Sequence, residues 1–454
     1  MDKYLSRSID QALLEWKDNP RRKPLLVRGA RQVGKSSTIR HLGKNFKYFL
    51  EVNVERNPEV MEFFKGSRDV KSIAAKLSDF FNVPVVPGDT LLFLDEIQKC
   101  EDVIHSLWFF KEDYPELHVI AAGSLLEFAL KNLSSFGVGR VSSLFVYPMS
   151  FDEFLTATRQ EGLLRIKRNS SPTNPLPEAF YNRLVEAFRS YMLVGGMPEA
   201  VATYTETGSY RYSSDIVNEI IQGYQDDFAK YGAKANPLLL RQTLISVAHQ
   251  AGAKFVCSKV EGQYRSAEVK VALEMLKDAG LIIPTYHTDA NGVPLGAEIN
   301  ERVVKYLIHD TGVLLGILGI DDDIDDSIKE MMVADSIDLV DKGHVAEMMA
   351  GLELIKYSSP QTRHQLYYWQ NMNKGTCAEV DYVIARSGSI VPIEVKSGVK
   401  GSMSSMYSLM RNPQKHIEMG IRCSLENFGT FASPGGKKID IIPLYAISNL
   451  FAEK

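Results

Sequence analysis

Cysteine is scarce in this chain, and what there is does not pair. The four cysteines of the 454 residues, Cys100, Cys257, Cys377 and Cys423, lie far apart, with no CxxC spacing and no histidine partner nearby. That speaks against a disulfide framework and a zinc module, and it fits a reducing compartment. Long hydrophobic runs are missing too. The longest, "GVLLGILGI" from Gly312, is too short to cross a bilayer, and the opening "MDKYLSRSIDQALLEWKDNP" breaks its apolar positions with charges. A soluble, cytoplasmic protein with no membrane partner is expected. Nor is there an excess of basic charge: a formal net charge of -4 gives no global field to draw nucleic acid, so only a local patch could do so. The nine histidines show no HExxH or paired metal spacing.

What is present is a hydrophobic fraction of 45%, in a chain long enough for roughly two to four domains. Up to about Ser150, short apolar runs alternate with longer amphipathic segments, the pattern of an α/β layer fold. "PLLVRGA", "YFLEVNVE", "TLLFLDE", "HVIAAGS" and "SLFVYPMS" predict five strands. Their nearly continuous apolar character predicts a parallel sheet covered by helices on both faces. From Phe151 to about Ala235 the period is helical. The charged, Pro- and Ser-rich "RIKRNSSPTNPLPEAF", with the basic residues Arg165, Lys167 and Arg168, predicts a solvated loop. Gly195 and Gly196 before Pro198 predict a helix stop and restart.

Between Asn236 and Leu318, "PLLLRQTLISVAHQAG", "FVCSKVEG" and "SAEVKVALEMLKDAG" read as three helices. Two strands with a connecting wing follow, the pattern of a winged helix. Its last helix mixes Lys270 and Lys277 with Glu268, Glu274 and Asp278, so DNA and protein docking stand level as uses. The acidic run at Asp321 to Asp326 predicts an exposed boundary. Beyond it, "GHVAEMMAGLELIKY" reads as a helix, "QLYYWQ" as a strand and "AEVDYVIARSGSIVPIEVKSG" as a hairpin.

The stretch "LLVRGARQVGKSS" satisfies GxxxxGK[ST] with Gly29, Gly34, Lys35 and Ser36, between a predicted strand and a predicted helix. Residues Gly29, Ala30, Arg31, Gln32, Val33, Gly34, Lys35, Ser36 and Ser37 would form a nucleotide-binding loop whose backbone N–H groups turn toward phosphate oxygens. Lys35 would reach the outer phosphates and Ser36 would ligate magnesium. "TLLFLDE" then delivers two carboxylates at the end of a buried strand, a costly arrangement unless a cation waits there. Asp95 is the expected magnesium partner, and Glu96 the group that orients and deprotonates the attacking water.

"GARQVGKSS", "LLFLDEIQ" and "VIAAGSLLE" together resemble the AAA+ ATPase superfamily. More narrowly, the chain resembles prokaryotic ATPases in which that module precedes a winged helix and a restriction-endonuclease-like region. The resemblance implies ATP as the nucleotide. It also implies Ser124 as a residue sensing the γ-phosphate, and Arg140 as an arginine finger acting within one subunit or across two of an oligomer. No second sensor arginine can be placed. The fold implied is α/β: a P-loop NTPase parallel-sheet domain over 1–160, a helical linker over 161–235, a winged-helix domain over 236–320 and a small restriction-endonuclease-like domain over 330–454.

In the C-terminal hairpin, a turn at Ser387 and Gly388 sets Asp381 opposite Glu394 and Glu379 opposite Lys396, all on one face. Val391, Ile393 and Val395 would form the other, buried face, and Pro392 suggests an edge or bulge. Asp381, then Glu394-x-Lys396, preceded by the helical Glu347, resembles the PD-(D/E)xK nuclease pattern, with Mg²⁺ or Mn²⁺ as its possible ion. The overall expectation is an ATP-binding, magnesium-dependent ATPase coupled to a C-terminal DNA- or protein-binding module. An ATP-regulated nuclease and a non-catalytic nucleotide-gated switch are the alternatives.

Overall fold

The computed structural model describes residues 4–132, 139–231, 236–319, 342–371, 378–398 and 401–451, and the acidic run 321–326 lies outside them. The chain divides into two compact units. One comprises Met1–Tyr147 with Asp278–Gly280 and Ser359–Arg363, the other Pro148–Lys277, Leu281–Ser358 and His364–Lys454. No described helix is long and apolar enough to cross a membrane.

The first unit is built on the five strands the apolar runs predict: β1 (Leu25–Arg28), β2 (Tyr48–Asn53), β3 (Thr90–Asp95), β4 (His118–Ala122) and β5 (Ser142–Phe145). Their order is β2-β3-β4-β1-β5, and every neighbouring pair is parallel. Each position of β3 and β4 is buried, as a sheet covered on both faces requires. Ile73 and Leu77 of the helix Val70–Phe81 pack with Leu107 and Phe110 of Glu101–Asp113 against Leu92, Leu94 and Val119 of the strands. Because β1 lies between β4 and β5 while β3 lies beyond β4, the strand order reverses there. In open α/β sheets the carboxyl ends of the strands at such a reversal form the natural binding crevice.

The second unit begins with helices and ends with two sheets. One sheet holds β6 (Ile282–Thr288), β7 (Ile299–Ile308), β8 (Leu366–Gln370) and β9 (Glu379–Val380) in the order β7-β6-β8-β9. The other holds β10 (Tyr382–Arg386), β11 (Ser389–Val395), β12 (Met419–Ser424), β13 (Gly429–Ala432) and β14 (Lys438–Pro443) in the order β10-β11-β12-β14-β13. The β10–β11 hairpin turns at Ser387 and Gly388, with φ of 49° and 77°, and sets Tyr382 opposite Ile393. Two positive φ values in a two-residue loop match the twist of the strands that it joins.

Four local expectations need correction. "FVCSKVEG" forms only the three-residue turn Cys257–Lys259, because the backbone before it is drawn onto β7: Phe255 N–H donates to Val304 O at 3.0 Å. Lys167 is not in a solvated loop. It lies on the helix Glu161–Arg168, on the buried face with Leu163 and Leu164, and its ammonium meets the Asp152 carboxylate and, at 2.7 Å, Ser448 Oγ. In β11 both faces are buried from Ile390 to Val395, since helices Lys342–Lys356 and Ser404–Arg411 pack on it and it runs between two strands. Pro392 is tolerated in this internal strand because β12 pairs only from Ile393 onward, so the missing N–H falls ahead of the second ladder.

Glu353, on Lys342–Lys356, ties this unit together. Its Oε2 accepts from Phe151 N at 3.1 Å, at the start of the helix Phe151–Ala157, and its Oε1 accepts from the Tyr191 hydroxyl at 2.8 Å. Lys356 Nζ lies 3.4 Å from Oε1. Glu353→Ala would strip a buried N–H, a hydroxyl and an ammonium of one partner at once. The unit should lose about 3–5 kcal/mol, read as a lower urea midpoint at constant m-value. A loss below about 1 kcal/mol would show that Glu353 does not hold these helices.

Candidate functional site

β1 feeds a loop whose shape is set by backbone angles rather than side chains. Gly29, Gln32 and Gly34 have φ of 148°, 65° and 94°. A Cβ at Gly29 would stand 2.1 Å from Val146 O, so only glycine lets the loop leave β1 against that backbone. Val33 anchors the middle of the loop in the core, while Arg31, Gln32 and Ser37 are exposed at its rim. Ala30 is buried. Gly34 precedes the helix Lys35–Gly43 and accepts from Thr38 Oγ1 at 3.0 Å. That helix start offers unpaired N–H groups and the positive end of its dipole.

The side chains predicted for this loop converge on the ends of β1 and β3. Lys35 Nζ donates to Gly29 O at 3.0 Å and Ala30 O at 2.6 Å. Burial among neutral carbonyls brings its ammonium down to about 8, with Glu96 and Asp95 pulling the other way. Ser36 Oγ donates to Asp95 Oδ2 at 3.1 Å, and Glu96 N donates to Asp95 Oδ1 at 3.0 Å. Burial, and then the neighbouring Glu96, raises the Asp95 carboxyl above its ordinary range. Glu96 has φ 54° and ψ 40°, a conformation that breaks β3 and turns its side chain away from the strand line. Its Oε2 accepts from Ser124 Oγ at 3.1 Å and from Gln98 Nε2 at 2.5 Å.

Lys35, Ser36, Asp95, Glu96 and Ser124 are thus linked through the two strand ends, while Arg140 is held elsewhere. Its Nε pairs with Glu112 Oε1 at 2.7 Å, and its guanidinium lies 4.0 Å from the Trp108 ring centroid, both on the helix Glu101–Asp113. Two residues that sequence reading passed over support the site. Arg7, buried, donates to Val33 O at 3.0 Å and to Tyr147 O at 2.7 Å, pinning the loop to the strand end. Gln98 holds Glu96, and it seats there because residue 123 is glycine: a Cβ would stand 2.0 Å from Gln98 Oε1. Gln98 sits two residues after Glu96 in "DEIQ", a spacing that could have drawn attention. Nothing in the sequence marks Arg7. The donor set suits a nucleotide with its magnesium: a hydroxyl beside a buried carboxylate, an ammonium with only neutral hydrogen-bond acceptors, and a helix start.

The predicted C-terminal residues also converge. Asp381, between β9 and β10, accepts from Val395 N at 2.7 Å. Lys396 Nζ donates to Glu394 Oε1 at 2.7 Å, and Glu394 Oε2 is buried without a hydrogen-bond partner. Burial, then Asp381, pushes Glu394 up to about 7. Glu347, on Lys342–Lys356, is pushed up to about 8 by burial, with Lys305 opposing and Asp381 adding to the rise. The pairing of Glu379 with Lys396 does not form. Glu379 belongs to β9, which pairs with β8, and its Oε1 accepts from Lys305 Nζ at 2.5 Å. Lys305 also donates to Glu347 Oε1 at 2.8 Å. A lone lysine inside "RVVKYLI" was the signal, since a charge in an apolar strand needs a partner. Among the described residues, no group of three or more His, Cys, Asp or Glu is disposed to hold a metal ion.

Residues 21–155 match the family model of an AAA domain. Residues 185–324 and 342–447 match two models, each described as a domain of unknown function. No curated protein matches the chain. Among solved structures, the Aeropyrum pernix Orc1 protein in complex with DNA aligns at 13% identity with a TM-score of 0.30, covering 71% of this chain and 94% of that one.

Lys35 supplies a pH test of the loop. Its ammonium, brought down to about 8, is charged below that value and neutral above it. Affinity for a nucleoside triphosphate should therefore be level near neutrality and fall by about tenfold per unit once the pH has passed the free chain's value. Calorimetric titration across that range checks it, and an affinity unchanged well into the alkaline range would remove Lys35 from the phosphates.

Proposed function

We propose, from the premise that this chain is an AAA+ P-loop ATPase through its residues 21–155, that it binds and hydrolyses ATP and uses nucleotide state to govern a binding module in its second half. One observation carries this reading: Lys35, Ser36, Asp95 and Glu96 meet at the ends of β1 and β3, beside the glycine loop that opens the helix Lys35–Gly43.

In this reading the loop from Gly29 to Ser36 grips the phosphates through its amides and the start of the helix Lys35–Gly43. Lys35 exchanges the carbonyls of Gly29 and Ala30 for the outer phosphates. Ser36 and Asp95 would hold magnesium, which when bound offsets the charge of the phosphate oxygens. Glu96 accepts the proton of the attacking water, with Ser124 and Gln98 fixing the direction of its carboxylate. Ser124 would then sense the γ-phosphate through the same carboxylate. Arg140 is given no step, because its guanidinium is engaged by Glu112 and Trp108.

For the second half we propose a winged helix over 236–320, followed by a nuclease-like fold over 330–454 that binds rather than cleaves. Support for the former is the helix Pro237–His249, then Ser266–Asp278, then the antiparallel β6–β7 pair. Ser266–Asp278 contains no arginine, and Lys277 is paired with Glu274 at 2.5 Å, which favours a protein partner over DNA. A cytoplasmic setting is part of the reading, in keeping with the free thiols of Cys100, Cys257 and Cys423.

Isothermal titration with MgATP tests the whole. The parent chain should release heat at one site, and Lys35→Ala should abolish it. Glu96→Gln should bind as the parent does while turnover falls by about 10²–10⁴-fold. No heat from the well-folded parent chain would end the reading, and undiminished turnover in Glu96→Gln would remove Glu96 from its role.

A further inference from the structure

The carboxylates gathered around the change of sheet at Asp381 already have a cation. Lys305 comes from β7, in the sheet that also holds Glu379 on β9, and places its ammonium between Glu379 and the helical Glu347 at 2.5 and 2.8 Å. Its side chain is 1% exposed, and Nζ lies 5.0 Å from the Tyr368 ring centroid. A second ammonium, that of Lys396, is taken by Glu394. We propose that Lys305 is a tethered substitute for a divalent cation, closing the cluster of Glu347, Glu379, Asp381 and Glu394 to magnesium and manganese. The C-terminal sheet is then a binding module without a metal centre, and this rests on reading that half as one that binds rather than cleaves.

The lone pairs carry the inference. Magnesium and manganese take several oxygen ligands at once. Here Glu347 Oε1 and Glu379 Oε1 accept from Lys305, Asp381 Oδ2 accepts from Val395 N, and Glu394 Oε1 accepts from Lys396. Glu394 Oε2 is buried and has no hydrogen-bond partner, but among the described residues no three carboxylates come together to hold one ion. A divalent ion added beside a buried ammonium would also meet like charge where solvent screens little. Nor can the ammonium readily step aside. The Lys305 backbone is fixed on two sides, opposite Thr285 in the β6–β7 ladder and bridged to Lys254. Removing the ammonium alone would leave Glu347 and Glu379 facing each other with nothing between them, which is the arrangement that recruits a cation.

The test is Mn²⁺ binding to the full, nucleotide-free chain, followed by electron paramagnetic resonance. Asp95→Asn is present throughout, to silence the phosphate loop. With Lys305 in place, no site tighter than about 1 mM is expected. Lys305→Met should bind one Mn²⁺ at least about tenfold more tightly, with a rise in melting temperature that Glu394→Gln removes. Mn²⁺ bound with Lys305 present, and lost on adding Glu394→Gln, would overturn the proposal. So would a folded Lys305→Met chain that binds no better than the chain retaining Lys305. If Lys305→Met folds only when Mn²⁺ is supplied, that rescue supports the substitution. If it folds in neither condition, the measurement with Lys305 present decides. MgATP binding by the chain with Asp95 restored is read separately, so the nucleotide reading and this one fail independently.

Discussion

A buried ammonium must find partners, and this chain meets that constraint in two opposite ways. Lys35 is surrounded by the neutral carbonyls of Gly29 and Ala30, and burial brings its ammonium down to about 8. Lys305 is as deeply buried, yet it is held far above that because Glu347 and Glu379 face it. Carbonyl dipoles offset the cost of burying a charge less than facing carboxylates do. The first lysine lacks a bonded anionic partner, and the second has two. Same residue, same burial, and the difference lies in what the backbone brings alongside.

The phosphate loop depends on that first arrangement. Lys35 can lie against the loop carbonyls because Gly29 brings the chain within reach of Val146 O and Arg7 holds Val33 O from outside. Asp95 and Glu96 then divide the work at the end of β3. The left-handed backbone at Glu96 sends the two adjacent side chains in different directions, one to Ser36 and the other to Ser124 and Gln98. Had β3 continued as a strand through Glu96, the alternation of side chains would have aimed the second carboxylate at the opposite face of the sheet.

This explains what was legible beforehand. The loop, with its lysine and serine, is contiguous in sequence, and the five strands of its sheet announce themselves as unbroken apolar runs. The carboxylates at 381 and 394 were legible because a two-residue turn dictates which residues face each other across a hairpin. What Lys167, Lys305 and Arg7 meet was not, and for one reason. Their partners lie 15, 42 and 26 residues away, and no local period connects them. The pattern of a strand or helix tells which side chains face inward. It does not tell which charge waits there.

Glu379 shows how narrow that margin is. Alternation puts it on the same face as Asp381, and a continuous strand from 379 to 386 would have delivered it to Lys396. Instead β9 ends at Val380 and pairs with β8, while β10 begins at Tyr382 and pairs with β11, so the chain changes sheets at Asp381. Released from a ladder of its own, Asp381 can turn its carboxylate to the N–H of Val395. Glu379, left on the other sheet, meets the strand that carries Lys305. One change of sheet thus gives Asp381 and Glu379 different partners, a backbone N–H for the first and an ammonium for the second.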